Sequence, residues 1–230
     1  MVSDDGAGAC AAEDADMDRL FRDRTDAGRR LATALEGTAR VDAVVVGLAR
    51  GGLPVAAEVA EILGLPLDAV AVRKIGHPWQ PEYALGATAP GRDGIFIRSH
   101  DGLDERLLGA TIARAKASAE ALDGVLHERR PALDLHGKTA LLVDDGLATG
   151  ATMVAAVRWA RSRGAALVVI AVPVGSRAAV HFLRREADEV ICLSEPEAFG
   201  AVGFWYEHFP QVGDAQVLAL LERQGSRLAV

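Results

Sequence analysis

The chain has 230 residues, half of them hydrophobic, and a formal net charge of −7. That length suits one large α/β domain better than two small ones. The acidic balance argues against a protein that coats nucleic acid through a general basic excess, yet leaves room for a local cationic cluster around a small anion.

The first segment, MVSDDGAGACAAEDADMD (1–18), is small and acidic and is expected to be a flexible tail ahead of a single domain at 19–230. It lacks the basic start and apolar run of a secretory signal. Cys10 and Cys192 have neither pairing nor metal spacing, so free thiols in a reducing cytoplasm are expected. In RTDAGRRLATALEG, Ala27, Leu31, Ala34 and Leu35 share a helical face, with Thr25 or Asp26 as N-cap and Gly37 as the stop. VDAVVVGL reads as a buried strand. GLPVAAEVAEILG reads as a helix with Pro54 in its first turn and Gly64 at its end.

PLDAVAV is a further strand, leading into the mixed segment RKIGHPWQPEYALGAT. GIFIR is a short strand expected to pair antiparallel with EYALGAT. LDERLLGATIARAKASAEALDGVLHERR is a long helix that ends before Pro131. KTALLVDD, GATMVAAVRWARSRG, ALVVIAVPV, SRAAVHFLRRE and ADEVICLSE then alternate strand and helix. The apolar stretch from Ala165 falls well short of the roughly 18 residues a spanning helix needs, so it is a buried strand and no membrane partner is expected. The alternation predicts a mostly parallel sheet covered by helices on both faces, with ligands at the carboxyl ends of the strands. PEAFGAVGFWYEHFPQVGD breaks the pattern and reads as a compact flap.

One stretch carries two opposed features. Asp144 and Asp145 emerge from a buried strand, and Gly146, Leu147, Ala148, Thr149 and Gly150 turn the chain into a helix that starts at Ala151. The unpaired N–H groups and positive dipole end of such a helix hold an anion, and Thr149 and Thr152 add hydroxyl donors. Other loops that hold phosphate do not match: Gly150 is followed by Ala151 where a P-loop has Lys, and GLARGG lacks the dinucleotide spacing.

LLVDDGLATGAT resembles the phosphoribosyl-diphosphate (PRPP) motif of type I phosphoribosyltransferases over about a dozen positions. The resemblance implies a three-layer α/β fold with a small C-terminal hood, here about 195–213. It implies that Asp144 and Asp145 take the ribose hydroxyls while Gly146 to Thr152 hold the 5′-phosphate. It further implies pyrophosphate binding by Ala49, Arg50 and Gly51 in VVVGLARGGLPVAAEVA and by Arg73 and Lys74 in VRKIGHPWQ, a segment matching a mobile loop in the family. On this basis Asp144, Asp145, Arg50 and Lys74 are the catalytic candidates. In the same segment His77 reads as a surface or loop-packing histidine or as a catalytic one, and Trp79 as a packing residue or part of the closing loop. F-x-D-R-x-x-A-G-x-x-L-A, G-L-A-R-G-G and V-R-K-I-G together resemble a bacterial subgroup that carries the family name without a substrate.

The implied reaction transfers ribose 5-phosphate from PRPP to a nitrogenous base, with Mg²⁺ bound through PRPP and pyrophosphate released. The implied assembly is a cytoplasmic homodimer. Phe204, Trp205 and Tyr206 of the hood, with Phe199 and Phe209 nearby, are candidates to stack on the base or to form the hood's own core. Two other classes stay open: a non-catalytic PRPP-sensing regulator, and a phosphate or pyrophosphate ester hydrolase on the same fold.

Overall fold

The computed structural model describes residues 19–37 and 42–227; the 1–18 segment and Cys10 lie outside the described residues. The main sheet holds β1 (Ala43–Ala49), β2 (Leu67–Ala71), β6 (Thr139–Val143), β7 (Leu167–Val174) and β8 (Glu189–Ser194). Its order is β2-β1-β6-β7-β8, and every pair is parallel. From β1 the chain moves outward to β2, then returns to the other side of β1 and moves outward again through β6, β7 and β8. The reversal lies between β1 and β6, where an open parallel sheet leaves a crevice at its carboxyl edge. The loops after Ala49 and Val143 therefore meet.

Strand alternation assigns the two faces. Val45 and Ala49 pack with α1 (Arg24–Leu35), α2 (Leu53–Leu63) and α6 (Asp214–Arg227). Val44, Val46 and Leu48 pack on the other face with α4 (Ala151–Ser162) and α5 (Arg177–Leu183). This is the three-layer arrangement expected. Gly64 closes α2 in the left-handed conformation, φ 63°, which a side chain would resist.

Some boundaries differ from the sequence reading. Helix α1 is capped by Asp23, whose carboxylate accepts the Asp26 N–H at 2.8 Å, rather than by Thr25 or Asp26. Ala32, not Ala34, joins Leu31 and Leu35 in the core. The long helix α3 (Glu105–Leu126) stops before the expected HERR tail. Helix α6, which the sequence reading leaves unassigned, buries Val217 and Leu221.

The mixed segment and GIFIR form a second sheet, β3-β4-β5, from Arg73–His77, Gln80–Thr88 and Ile95–Ile97. β4 and β5 pair antiparallel as expected, with Ala87 opposite Phe96. The preceding RKIGH, read as part of a loop, is instead a strand whose pairing is broken by register shifts around Gly76. Ile75 and Leu85 from this sheet pack on Leu108 of α3. After β8 the chain forms one short 3₁₀ turn, Val202–Trp205, within the region expected as a hood.

Candidate functional site

The apolar run Thr139–Val143 ends at the reversal between β1 and β6, so Asp144 and Asp145 leave the sheet directly into the crevice. The next five residues are pinned from behind: Leu147 N–H donates to Val174 O at 2.9 Å, and Ser176 Oγ donates to Ala148 O at 2.7 Å. Gly150, at φ 77°, turns the loop into α4, and no side chain caps that helix start. Its N-terminal N–H groups are thus available to an anion.

Residues Asp144 to Thr152 line a cavity of about 390 Å³. Lys74, Tyr83 and Ala84 of the second sheet, Arg98 just past it and Val202 line the same cavity. Two carboxylates, a helix start and two cations therefore border one space.

The β1 loop backs the acids. A Cβ on Gly51 would run into Asp145 Oδ2, and one on Gly52 would stand 2.6 Å from Val143 O and 2.7 Å from Asp144 Cα. Only glycine allows that approach. The Ala49–Arg50 peptide is cis.

The two acids have unlike surroundings. Asp145 Oδ2 accepts Arg24 Nε at 2.9 Å and Arg24 Nη2 at 2.8 Å. The Tyr206 hydroxyl donates to the Asp145 carbonyl at 2.6 Å, and burial pushes that phenol well up, which keeps it a donor. Asp144 Oδ1 accepts the Asp145 backbone N–H at 2.9 Å, and the two carboxyl groups lie within hydrogen-bonding reach of each other. Burial, then the neighbouring Asp145 charge, pushes the Asp144 carboxyl well above the usual carboxylate range, although the side chain borders the open cavity. Burial raises Asp145 too, and the Arg24 guanidinium opposes it.

The expected pyrophosphate residues divide into two groups. Lys74 lines the cavity with the acids. Arg50 and Arg73 lie to one side: Arg50 Nη1 sits 3.3 Å from Asp214 Oδ1, and Arg73 Nε donates to Ser118 Oγ at 3.2 Å. Burial, and then the nearby Arg50 charge, lower the Arg73 pKa. Arg73, Lys74, Arg114 and Ser118 border a second, smaller hollow of about 230 Å³. His77 is buried in the β3–β4 hairpin, where its Nδ1 accepts the Trp79 N–H at 3.4 Å, while Trp79 itself is exposed.

The hood aromatics are placed differently from a stacking platform. Trp205 and Tyr206 are buried against Phe21 and Val174, and the Trp205 indole N–H donates to Phe199 O at 2.9 Å. Phe204 is exposed but does not border the cavity. The face of Phe209 is taken by the Arg24 guanidinium, 3.7 Å from the ring centroid. The residue covering Trp205 and Tyr206, Phe21, comes from the other end of the chain, which the local sequence of the flap does not reveal.

The family model described as a phosphoribosyl transferase domain matches residues 18–207. The chain belongs to the phosphoribosyl transferase domain family. Two curated relatives from Mycobacterium tuberculosis strains, "Putative phosphoribosyl transferase Rv0571c" and "Putative phosphoribosyl transferase MT0597", are each 43% identical over 210 residues. That match covers 89% of this chain and 47% of each relative, so the chain spans about half their length. The crystal structure of TT1426 from Thermus thermophilus is 42% identical, with a TM-score of 0.76, and the match covers 89% of this chain and 98% of that one.

Arg24, Tyr83, Arg98 and the Tyr206 hydroxyl are the site residues that sequence reasoning missed as such. Arg24 alone had a signal, since it is the Arg of the F-x-D-R-x-x-A-G pattern that resembles the bacterial subgroup. Tyr83 and Arg98 reach the cavity only because β3, β4 and β5 form a separate sheet over the main one.

Proposed function

We propose that this chain transfers the 5-phosphoribosyl group of PRPP to a nitrogen of a flat, nitrogenous acceptor and releases pyrophosphate. The observation that carries this reading is the meeting of an uncapped helix start and two adjacent carboxylates in a single cavity. A ribose 5-phosphate unit satisfies both, offering its phosphate to the loop from Gly146 to Thr152 and its hydroxyls to Asp144 and Asp145.

In the reaction the bond from C1′ to the pyrophosphate oxygen breaks, the bond from C1′ to the acceptor nitrogen forms, and that nitrogen loses its proton. Positive charge develops on the ring and negative charge on the leaving group. The carboxylates lower the cost of the first, and Lys74, with Arg98 beside it, lowers the cost of the second. Arg50 and Arg73, at the side of the crevice, extend the positive field toward departing pyrophosphate. Tyr83 is the aromatic residue of the cavity wall, and its half-exposed ring suits the flat acceptor better than the buried Trp205 and Tyr206 do.

Among the described residues no group of three or more His, Cys, Asp or Glu side chains is placed to hold a metal ion. The oxygen donors of Asp144 and Asp145 in the cavity suit a hard cation such as Mg²⁺, which would be carried mainly by phosphate and ribose oxygens and would neutralise leaving-group charge when bound.

The test is a panel of purine, pyrimidine and pyridine bases with PRPP and Mg²⁺, following pyrophosphate. Release that requires one of the bases is the expected result. Acceptor-independent release would make the protein a hydrolase, and PRPP binding without turnover on any base would make it a sensor; either overturns the proposal.

A further inference from the structure

Arg24 opens helix α1, 121 residues before its partner Asp145, yet its side chain is buried and all of its polar contacts lie around the candidate site. Nε and Nη2 converge on Asp145 Oδ2 at 2.9 and 2.8 Å. Nη1 points the other way and donates to Pro210 O at 2.7 Å, while Phe209 covers the guanidinium plane. The group is therefore held by two contacts besides the acid, so little side-chain freedom remains to be lost. Asp145 is held as firmly, because Oδ2 also lies against Gly51 and its carbonyl accepts the Tyr206 hydroxyl. Oδ1 is the oxygen that Arg24 does not take.

We infer that Arg24 is a positioning residue: it fixes the Asp145 carboxylate, cancels one of two adjacent negative charges, and leaves one oxygen of Asp145 and the Asp144 carboxylate to receive the sugar hydroxyls. This rests on the reading of the cavity as a phosphoribosyl site. Two abutting, largely covered carboxylates resist carrying two charges unless a cation is supplied. Supplying it from within the protein, on Oδ2 of Asp145, offsets part of that cost without drawing a cation into the sugar's place. Arg24 also ties the start of α1 and Pro210 to Asp145, whose carbonyl is held by Tyr206, so distant segments of the chain converge on that acid.

The experiment is calorimetric binding of ribose 5-phosphate and, separately, of inorganic phosphate. Phosphate reports on the α4 loop alone, and the sugar phosphate on the loop plus the acids. Arg24→Ala is expected to weaken ribose 5-phosphate about tenfold, the scale of one charge-assisted contact, with phosphate changed less than about twofold. Arg24→Lys keeps the charge without the planar fork and is expected to lose about threefold. In an Asp145→Asn background, Arg24→Ala should add less than about twofold, because Arg24 acts through that carboxylate.

Equal weakening of both ligands in Arg24→Ala, or losses that multiply in the double variant, would overturn the inference and leave a general structural role. Should Arg24→Ala fail to fold, wild-type affinity for ribose 5-phosphate in Arg24→Lys overturns it as well. A wild-type protein that binds phosphate but gains nothing from the ribose ring would instead defeat the reading of the site, and the inference with it.

Discussion

Two acid clusters, one buried and one bordering a cavity, flank the same sheet and are built to opposite ends. On the edge strand β2, Asp68 is saturated: Oδ1 accepts His127 Nε2 at 3.1 Å, Oδ2 accepts the Leu133 N–H at 2.7 Å, and Arg130 Nη2 stands 3.7 Å away. Arg130 is itself fixed by the carbonyls of Leu67 and Leu221. Beyond the inner strand β6, Asp144 has one backbone donor, the Asp145 carboxyl group and a cavity, and Asp145 has one oxygen committed to Arg24. The first cluster spends its hydrogen-bonding capacity on the fold. The second withholds part of it, and a carboxylate with unspent acceptor capacity beside a cavity marks a site for a ligand that donates.

The comparison breaks most readily at Asp68. Asp68→Ala leaves His127 and Arg130 without their shared anion and is expected to cost about 3–5 kcal/mol in denaturant unfolding. Turnover per folded molecule should stay near wild type. Asp144→Asn should do the reverse. Its folded-state pKa is raised, so at neutral pH the charged carboxylate opposes folding, and the neutral isostere should hold or raise the melting temperature. A large loss of stability in Asp144→Asn together with none in Asp68→Ala would erase the distinction.

Gly51→Ala sharpens the contrast from the other side. Its methyl group would press on Asp145 Oδ2, so sugar binding or turnover should fall by up to about a hundredfold, the scale of a small misplacement in a reacting site. Unfolding should change far less than in Asp68→Ala. The smallest effect is in pH. Burial pulls the His127 pKa down, but hydrogen bonds to Asp123 and Asp68 outweigh it and hold the ring at about 9. Because the folded value lies above the unfolded value near 6.5, its contribution is complete below that pH and fades as pH rises through about 9. His127→Gln should flatten unfolding stability across that interval and leave the pH profile of catalysis unmoved.

How much of this was legible in the sequence follows from the range of the interactions. The order of the main sheet's elements is written in short apolar runs punctuated by glycines, as in AVVVGLA, Gly64 and TALLV, so β1, α2 and β6 read correctly. Asp144 and Asp145 are visible because the acids, the turn and the helix start are contiguous. Arg24 stands in the F-x-D-R-x-x-A-G pattern, but nothing local says that an Arg at the start of one helix reaches an acid 121 residues later. Strand β3 hides for another reason: RKIGH is short, charged and irregular in register, which weakens any alternation. The two alternatives for the hood's aromatics could not be separated locally, because exposure depends on what covers them, and Phe21 packs on them from a distant part of the chain. Helix α6 carries its apolar residues at helical spacing, at Val217, Leu220 and Leu221, and could have been found from that spacing.

The most direct measurement is the affinity of PRPP, with inorganic phosphate as control, for the wild-type protein and for Asp144→Asn/Asp145→Asn. The account predicts PRPP binding that falls about a hundredfold or more in the double variant, the scale of two lost charge-assisted contacts, while phosphate affinity and the folded state persist. Unchanged PRPP affinity in the folded double variant would contradict the assignment of the acid pair to the sugar.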